Sequence, residues 1–310
     1  MKIYISKINE SWIIDRIKKE WIINNKSLIS KHPYFSDIIW IIAPWGIDEK
    51  FLLKYYNKKI VYSLYHFEDT SEKSKEIKKI IEIDKYINFY HVISLDTKKI
   101  LSKYTKKPIY FLPLWVNQSI WFYIDKKDEL RKKYGFNNDD YIIGSFQRDT
   151  EGFDLRSPKL VKGPDIFIKL VNQVYKENKN LKVLLTGKRR QYVISELEYL
   201  KIPFAYYEMT NFNMMNELYN LLDLYLITSR VEGGPQALVE CGQTKTPIIS
   251  TRVGLSEQIL HPQSLYDFNN LSTFNKAKPN IKHAYEKSSL YTIPNGMSGY
   301  LNMFTELYES

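Results

Sequence analysis

Ten short apolar runs, rich in β-branched and aromatic residues and each separated from the next by a longer polar or amphipathic stretch, restrict this chain more than any other feature. In the first half they read "KIYIS", "DIIWIIA", "KIVYSLY", "YHVIS" and "PIYFLP"; in the second, "YIIGSF", "KVLLTG", "PFAYYE", "DLYLITS" and "TPIIST". Runs of this length are strands, and the stretches between them are long enough for a helix, so the pattern is that of parallel sheets covered by helices. Two sets of five strands over 310 residues make two α/β domains. The junction falls in "LPLWVNQSIWFYIDKKDELRKKYG", which Pro113 opens and a charged helix over about residues 126–134 closes. That places the domains at residues 1–118 and 119–310. After Leu260 the strand pattern fades, and the chain ends on a helical "GYLNMFTELYES" able to cross back to the first domain.

A hydrophobic content of 44% with 26% charged residues is that of a chain that folds throughout. The opening "MKIYISKINE" carries lysines and a glutamate where a secretory signal needs an apolar core, and the longest apolar run, residues 38–47, is far short of the roughly 20 residues that span a bilayer. The expectation is a cytoplasmic protein. One cysteine, Cys241, excludes an internal disulfide framework and a cysteine-based zinc site, and none of the five histidines stands at metal-ligand spacing. Residues 1–120 hold 21 Lys and Arg against 13 Asp and Glu, a net +8, while the rest hold 24 against 22. A basic first domain suits an anionic partner, and the amphipathic "WIIDRIKKEWIINNKSLI" reads as a helix covering the domain whose lysines and tryptophans would also suit an anionic membrane surface. Nucleic acid has only this charge in its favour and is not expected.

The stretch "DLYLITSRVEGGPQALVECG" sets a strand, a turn with two glycines and a helix in line, with Pro235 as the expected first helical residue. The backbone amides of Gly233, Gly234, Gln236 and Ala237 would lack intrahelical partners and so be free to bind an anion. Glu232 lies at the mouth of the turn and Glu240 one to two turns into the helix. Two acceptor-only carboxylates around an anion site suit a ligand with phosphate in the middle and hydroxyls at both ends, as in a nucleotide sugar. Taken alone, two such glutamates are more often solvated helix carboxylates.

"SRVEGGPQALVE", followed by "TPIISTRVG", resembles the Glu-seven-residues-Glu motif of retaining glycosyltransferases of the GT-B fold, family 4 (glycosyl transferases group 1). The resemblance implies an α/β protein of GT-B type, two Rossmann-like domains facing across a cleft, the first unusually short. It makes Glu240 the ribose ligand and Glu232 the sugar-side group. "YIIGSFQRDTEGFDLRSPKLVKGPDIFIKLV" resembles the family's upstream segment, which makes Arg148 and Lys162 the cations on the donor diphosphate. "LKVLLTGKRR" and "IPFAYYEMTNFNMMNELYNLLDLYLITS" follow the family's order of strand, base-contacting loop, helix and strand, which puts the nucleobase near Tyr207, Glu208 and Met209. "KIVYSLYHFED" resembles the strand that ends in His-Asp, with His66 in the histidine position and Phe67 before Glu68 and Asp69.

The activity so implied is transfer of a sugar from a UDP- or GDP-sugar to a glycan, lipid or protein-linked glycan, with retention and with His66 and Glu232 as candidate catalytic groups. Fixed Arg and Lys donors would stabilise the leaving diphosphate, and no Asp-x-Asp pair occurs, so neither a metal nor another cofactor is expected. The chain departs from the family in lacking a glycine-rich loop after its first strand, since no glycine precedes Gly46. A nucleotide-sugar-binding protein without turnover is the alternative. A dinucleotide oxidoreductase is disfavoured by the absence of Gly-x-Gly-x-x-Gly.

Overall fold

The computed structural model describes residues 1–7, 13–67 and 74–310, which divide into two compact units. The first comprises Met1–Trp115 with Ile293–Ser310, and the second Val116–Thr292, so the chain passes between units twice. All ten expected strands are present, and every pairing between strands is parallel. An eleventh, only two residues long, lies where the sequence pattern fades.

In the first unit β1 (Ile3–Ile5), β2 (Ile38–Ile41), β3 (Lys59–Leu64), β4 (Phe89–Val92) and β5 (Ile109–Phe111) form one sheet in that order. The strand residues alternate between two cores. Ile3, Ile38, Trp40, Val61 and Phe89 face the helices Ile13–Asn24 and Asn295–Glu309. Tyr4, Ile39, Ile60, Tyr62 and Tyr90 face the helices Glu49–Lys54, Ser74–Ile83 and Leu95–Leu101. The first helix thus lies on the opposite face from the three that follow. Ile29 explains why: it bridges to Ile3 in parallel, on the edge of β1 that β2 leaves open. The chain first crosses outward, then reverses past β1 to β2, and with right-handed crossovers a reversal of direction puts the covering helix on the other face. One bridge stands where a further strand would be.

Helix Ile13–Asn24 buries Ile14, Ile17 and Trp21 in that core, with the Trp21 ring against Trp40, Trp115, Tyr300 and Phe304. Its apolar side is therefore committed to covering the sheet. The C-terminal helix contributes Met297, Tyr300, Met303, Phe304 and Leu307 to the same core.

In the second unit β6 (Tyr141–Ser145), β7 (Leu181–Thr186), β8 (Phe204–Tyr207), β9 (Leu224–Ile227), β10 (Ile248–Thr251) and β11 (Leu265–Tyr266) form a sheet in the order β11-β10-β9-β6-β7-β8. The chain builds outward from β6 through β7 to β8, then returns to the other side of β6. The order reverses between β6 and β9, and the loops leaving their carboxyl ends must diverge there. In open sheets of this kind that crevice is where ligands bind.

Candidate functional site

The residues singled out in the second half of the sequence lie on the loops that leave the carboxyl ends of this second sheet. After β6 come Phe146, Gln147 and Arg148; after β9 come Thr228, Ser229 and the turn with Glu232. Between β6 and β7 a short turn ends in Lys162 and Gly163, and the helix Pro164–Glu177 follows. Gly163 has φ +61°, and a Cβ there would stand 1.8 Å from the Thr228 carbonyl oxygen. Only glycine lets the two backbones meet this closely, and the contact brings Lys162 to the end of β9. On the far side Gly254, at φ +54°, lies over Gly233, where an added Cβ would stand 2.6 Å from the Gly233 carbonyl oxygen.

Those contacts assemble a polar cluster. Lys162 Nζ donates to Glu232 Oε1 at 2.5 Å, and Ser229 Oγ donates to the same oxygen at 2.9 Å. Gln147 Nε2 donates to the Lys162 carbonyl at 3.0 Å, and Ser229 Oγ stands 3.4 Å from Gln147 Oε1. Glu232 is only 11% exposed, so its charge needs these donors. Arg230 forms a two-pronged pair with Asp165 at 2.8 and 2.7 Å, tying the β9 loop to the first turn of helix Pro164–Glu177. Arg230 in turn holds the Asp165 carboxyl below the usual carboxylate range.

Arg148 is half-buried and donates from Nε to the Thr150 carbonyl at 2.9 Å. Burial and then Arg189 hold its guanidinium below the usual arginine range, against the opposing pull of Glu151. Lys159, which the sequence reading passed over, is lowered first by burial and then by Arg148 and Lys162. Lys159 thus stands, partly desolvated, within the repelling field of both Arg148 and Lys162. Such a site favours an anion that can lie among them.

The loop carrying Arg148 is fixed from beneath by a fully buried ion pair. Arg190 Nε donates to Asp149 Oδ2 at 2.6 Å; its other nitrogens reach the Ser145 carbonyl, the Thr186 carbonyl at 2.9 Å and Ser145 Oγ at 3.3 Å. One planar fork thus joins the ends of β6 and β7 to the loop between them.

The helix after the glycine turn runs Ala237–Thr244, with Gln236 in the cap position. Pro235 was expected at the first helical position and instead lies two residues before it, in a turn closed by the Leu238 amide donating to the Pro235 carbonyl at 3.1 Å. The close approach of Gly254 to Gly233 constrains the chain just before it. Gly233, Gly234 and Ala237 still precede the first helical bonds. Glu240 is buried on this helix and accepts from Tyr219 Oη at 2.9 Å; the Tyr219 ring packs on Phe146, 4.9 Å between centroids, which ties Glu240 to the end of β6. Cys241 beside it is buried.

Tyr207 ends β8, two inter-strand spacings or about 10 Å from β6 along the same carboxyl edge. Its ring meets Tyr134 edge-on, while Glu208 and Met209 are exposed. His66 belongs to the first unit, exposed just after β3, and Phe67 beside it is buried. Glu68 and Asp69 lie outside the described residues. The structure thus brings Lys162 and Glu232 into direct contact, sets Arg148 beside them through Lys159, and reaches Glu240 through Tyr219. No reading of the sequence picked out Ser229, Gln147, Tyr219 or the Arg190–Asp149 pair. Lys159 alone had a sequence signal, as a second lysine three residues before Lys162.

Residues 155–297 match the family model described as Glycosyl transferases group 1. No curated protein matches the chain. Among solved structures, HepE of Anabaena in complex with UDP-glucose matches with a TM-score of 0.76 at 11% identity, over 98% of this chain and 99% of that one. Sucrose-phosphate synthase from Thermosynechococcus elongatus gives 0.73 at 14% identity over 98% and 81%. A glycosyltransferase from Rickettsia africae gives 0.68 at 16% identity over 98% and 84%. At such identities what is shared is the fold: the chain has the two-sheet α/β fold of GT-B glycosyltransferases.

Proposed function

We propose that the protein is a glycosyltransferase that moves a sugar from a nucleoside-diphosphate sugar to a hydroxyl of a glycan or lipid-linked acceptor, with retention at the anomeric carbon and with protein cations, not a metal, on the diphosphate. The observation that carries this reading is the convergence of Arg148, Lys159 and Lys162 at the strand-order reversal, with Glu232 held on Lys162. A diphosphate placed there would draw on all three cations and on the first-turn amides of helix Ala237–Thr244. Glu240, a buried carboxylate that accepts from Tyr219 Oη, is the candidate acceptor for a ribose hydroxyl. Glu232 is fixed by Ser229 as well as Lys162, so it keeps its place beside the sugar when a phosphate competes for the lysine. Tyr207, Glu208 and Met209 lie about one nucleoside's length along the edge and are the candidate base contacts. A uridine nucleotide is the first donor to try, since HepE of Anabaena binds UDP-glucose.

In the step itself the bond from the anomeric carbon to the diphosphate oxygen breaks as the acceptor oxygen bonds to that carbon on the same face. The acceptor proton passes to a leaving phosphate oxygen. Arg148 and Lys162 stabilise the charge that develops there, which is where fixed donors act most strongly. His66 is the candidate acceptor-side group.

Calorimetric titration with UDP, GDP and their sugar conjugates in EDTA tests the reading. One nucleotide should bind, and Arg148→Ala, Lys162→Ala and Glu240→Ala should each weaken it by about 1.5 to 3 kcal/mol, the range for a lost charge-assisted hydrogen bond, or roughly tenfold or more. Transfer of radiolabelled sugar to a mixed acceptor pool should fall with it. Binding that requires added magnesium would remove the metal-free part, and no binding at all would remove the donor site.

A further inference from the structure

The first unit carries a cluster of protruding apolar and aromatic side chains at the end of its sheet where β2 and β3 begin, away from the carboxyl ends where His66 lies. Phe35 is 74% exposed, Tyr56 70%, Tyr34 67% and Leu53 57%. They lie on two segments, residues 31–37 and 53–58, that Lys58 ties together: its Nζ donates to the Tyr34 carbonyl at 2.9 Å and the Ser36 carbonyl at 2.8 Å, while the Tyr34 and Phe35 rings meet edge-on at 5.2 Å and His32 and Phe35 lie 6.0 Å apart. A shallow hollow of about 560 Å³ lies between the two segments, with Tyr34, Lys54 and Lys58 on its walls. Lys31 and Lys54 are exposed at the rim. The carboxylates on the adjoining segments are engaged: Asp48 accepts from the Phe51 amide at 2.9 Å. Asp37 accepts from the Lys2 amide at 2.7 Å and faces the chain's amino terminus at 3.9 Å, and Glu49 pairs with Lys85 at 3.5 Å.

We propose that this surface docks the protein on an anionic lipid bilayer, with Phe35, Tyr34, Tyr56 and Leu53 entering the headgroup region and the surrounding lysines meeting the lipid charge. In water the apolar parts of these four side chains carry the cost of hydrophobic hydration, which burial at a bilayer interface relieves, and rings and aliphatic tips flanked by lysine match the composition of such an interface. The positive charge of the patch comes without an arginine fork. Arg16 is the only arginine in residues 1–115, and it is buried; lysines are point charges that suit a diffuse negative surface, and arginine is the residue of two-pronged phosphate and base contacts. The side chains also project from the surface, as a plane without relief requires. Helix Ile13–Asn24 is not the docking element, because its apolar side is in the core. Among the described residues no helix is long and apolar enough to cross a membrane, so the attachment is peripheral.

The full chain is sedimented with vesicles of phosphatidylcholine alone and with 30% phosphatidylglycerol, a probe composition of about the anionic content that attracts basic segments. Binding is expected to the anionic vesicles only and to weaken in high salt. Lys31→Glu and Lys54→Glu should each lower partitioning at least about fivefold per charge removed, and Phe35→Ser with Tyr56→Ser should lower it further. Hydrogen exchange on the unmodified chain should show protection over residues 31–36 and 53–58 when anionic vesicles are added. The variants should keep the wild-type melting temperature and nucleotide titration, since none touches the second unit; the two readings therefore fail separately. The proposal is overturned by equal binding to neutral vesicles, by no binding, by protection elsewhere on the chain, or by unchanged binding in the variants. It is likewise overturned if the patch variants lose affinity for an oligonucleotide or a protein while binding vesicles as before.

Discussion

The two units each bury polar groups at their centre, and they do so in opposite ways. In the first unit the group is neutral. Trp40 Nε1 donates to Ser63 Oγ at 2.8 Å, Ser63 Oγ donates to His91 Nδ1 at 2.8 Å, and His91 Nε2 donates to the Leu112 carbonyl at 2.8 Å. Trp40 can only donate and the carbonyl can only accept, which fixes both the direction of the relay and the tautomer of the histidine. Tyr300, from the C-terminal helix, closes it by donating to the Leu112 carbonyl at 3.0 Å. In the second unit the group is an ion pair, Arg190 on Asp149. The neutral relay spends its bonds on holding the returning helix against the sheet. The charged pair spends them on a loop, the one that carries Arg148. A polar core can thus serve assembly in one unit and the placement of a cation in the other.

The sharpest way to break this contrast is to remove one member of the ion pair. Arg190→Met leaves Asp149 buried and unpaired and strips donors from the Ser145 and Thr186 carbonyls, so a loss of about 3 to 5 kcal/mol is expected in urea denaturation of the second unit. Nucleotide binding should vanish with it. The double change Arg190→Met, Asp149→Leu should recover much of the stability, since a buried pair replaced by apolar groups is often neutral. If nucleotide affinity stays low while stability returns, the pair is a positioning device. If affinity returns too, the loop needs no clamp.

The neutral relay has a different weakness. Burial lowers the His91 pKa from 6.5 to about 4. Its folded value lies below its unfolded one, so its contribution is complete above pH 6.5 and is lost progressively as the pH falls toward 4. That difference corresponds to about 3 kcal/mol. Trp21, Trp40 and Trp115 all lie in this core, and denaturation followed by their fluorescence at pH 7, 5.5 and 4.5 should show the decline. His91→Gln should be less stable at pH 7 and should flatten the dependence. A decline of the same slope in the variant would assign it to other groups.

How far each unit was legible in the sequence follows the same division. The ten strands could be read because each is a short apolar run set off by polar stretches. β11 could not, because Leu265 and Tyr266 are too few to make a run, and the bridge from Ile29 to Ile3 leaves no pattern at all. Arg148, Lys162, Glu232 and Glu240 stand out only as a set, in order along a strand-helix alternation. Their supports do not stand out, because partners such as Arg190 and Asp149, 41 residues apart, meet only once the sheet exists. Pro235 suits the first helical position by its ring, yet it stands in a turn in which its carbonyl accepts from the Leu238 amide, and the helix proper begins at Ala237.

The smallest effect sharpens the comparison most finely, because it asks whether the second unit's charges serve a ligand at all. Lys159 is held below the usual lysine range by burial and by the neighbouring Arg148 and Lys162. A diphosphate bound among these groups adds negative charge, which favours the protonated amine and raises its pKa toward 10.5. In the window between the lowered and the raised value, binding must therefore take up a proton. Affinity should fall as the pH rises through that window, by at most about tenfold per pH unit for a single proton. Calorimetry in two buffers of different ionisation enthalpy measures the uptake directly, and Lys159→Arg, which keeps the charge but does not titrate there, should abolish it while preserving binding at neutral pH. The first unit offers no such response, since its buried histidine faces a carbonyl and a hydroxyl within a closed core. Nucleotide binding without proton uptake at any alkaline pH would mean that the phosphates do not lie among Arg148, Lys159 and Lys162, and that the repulsion among them serves another purpose.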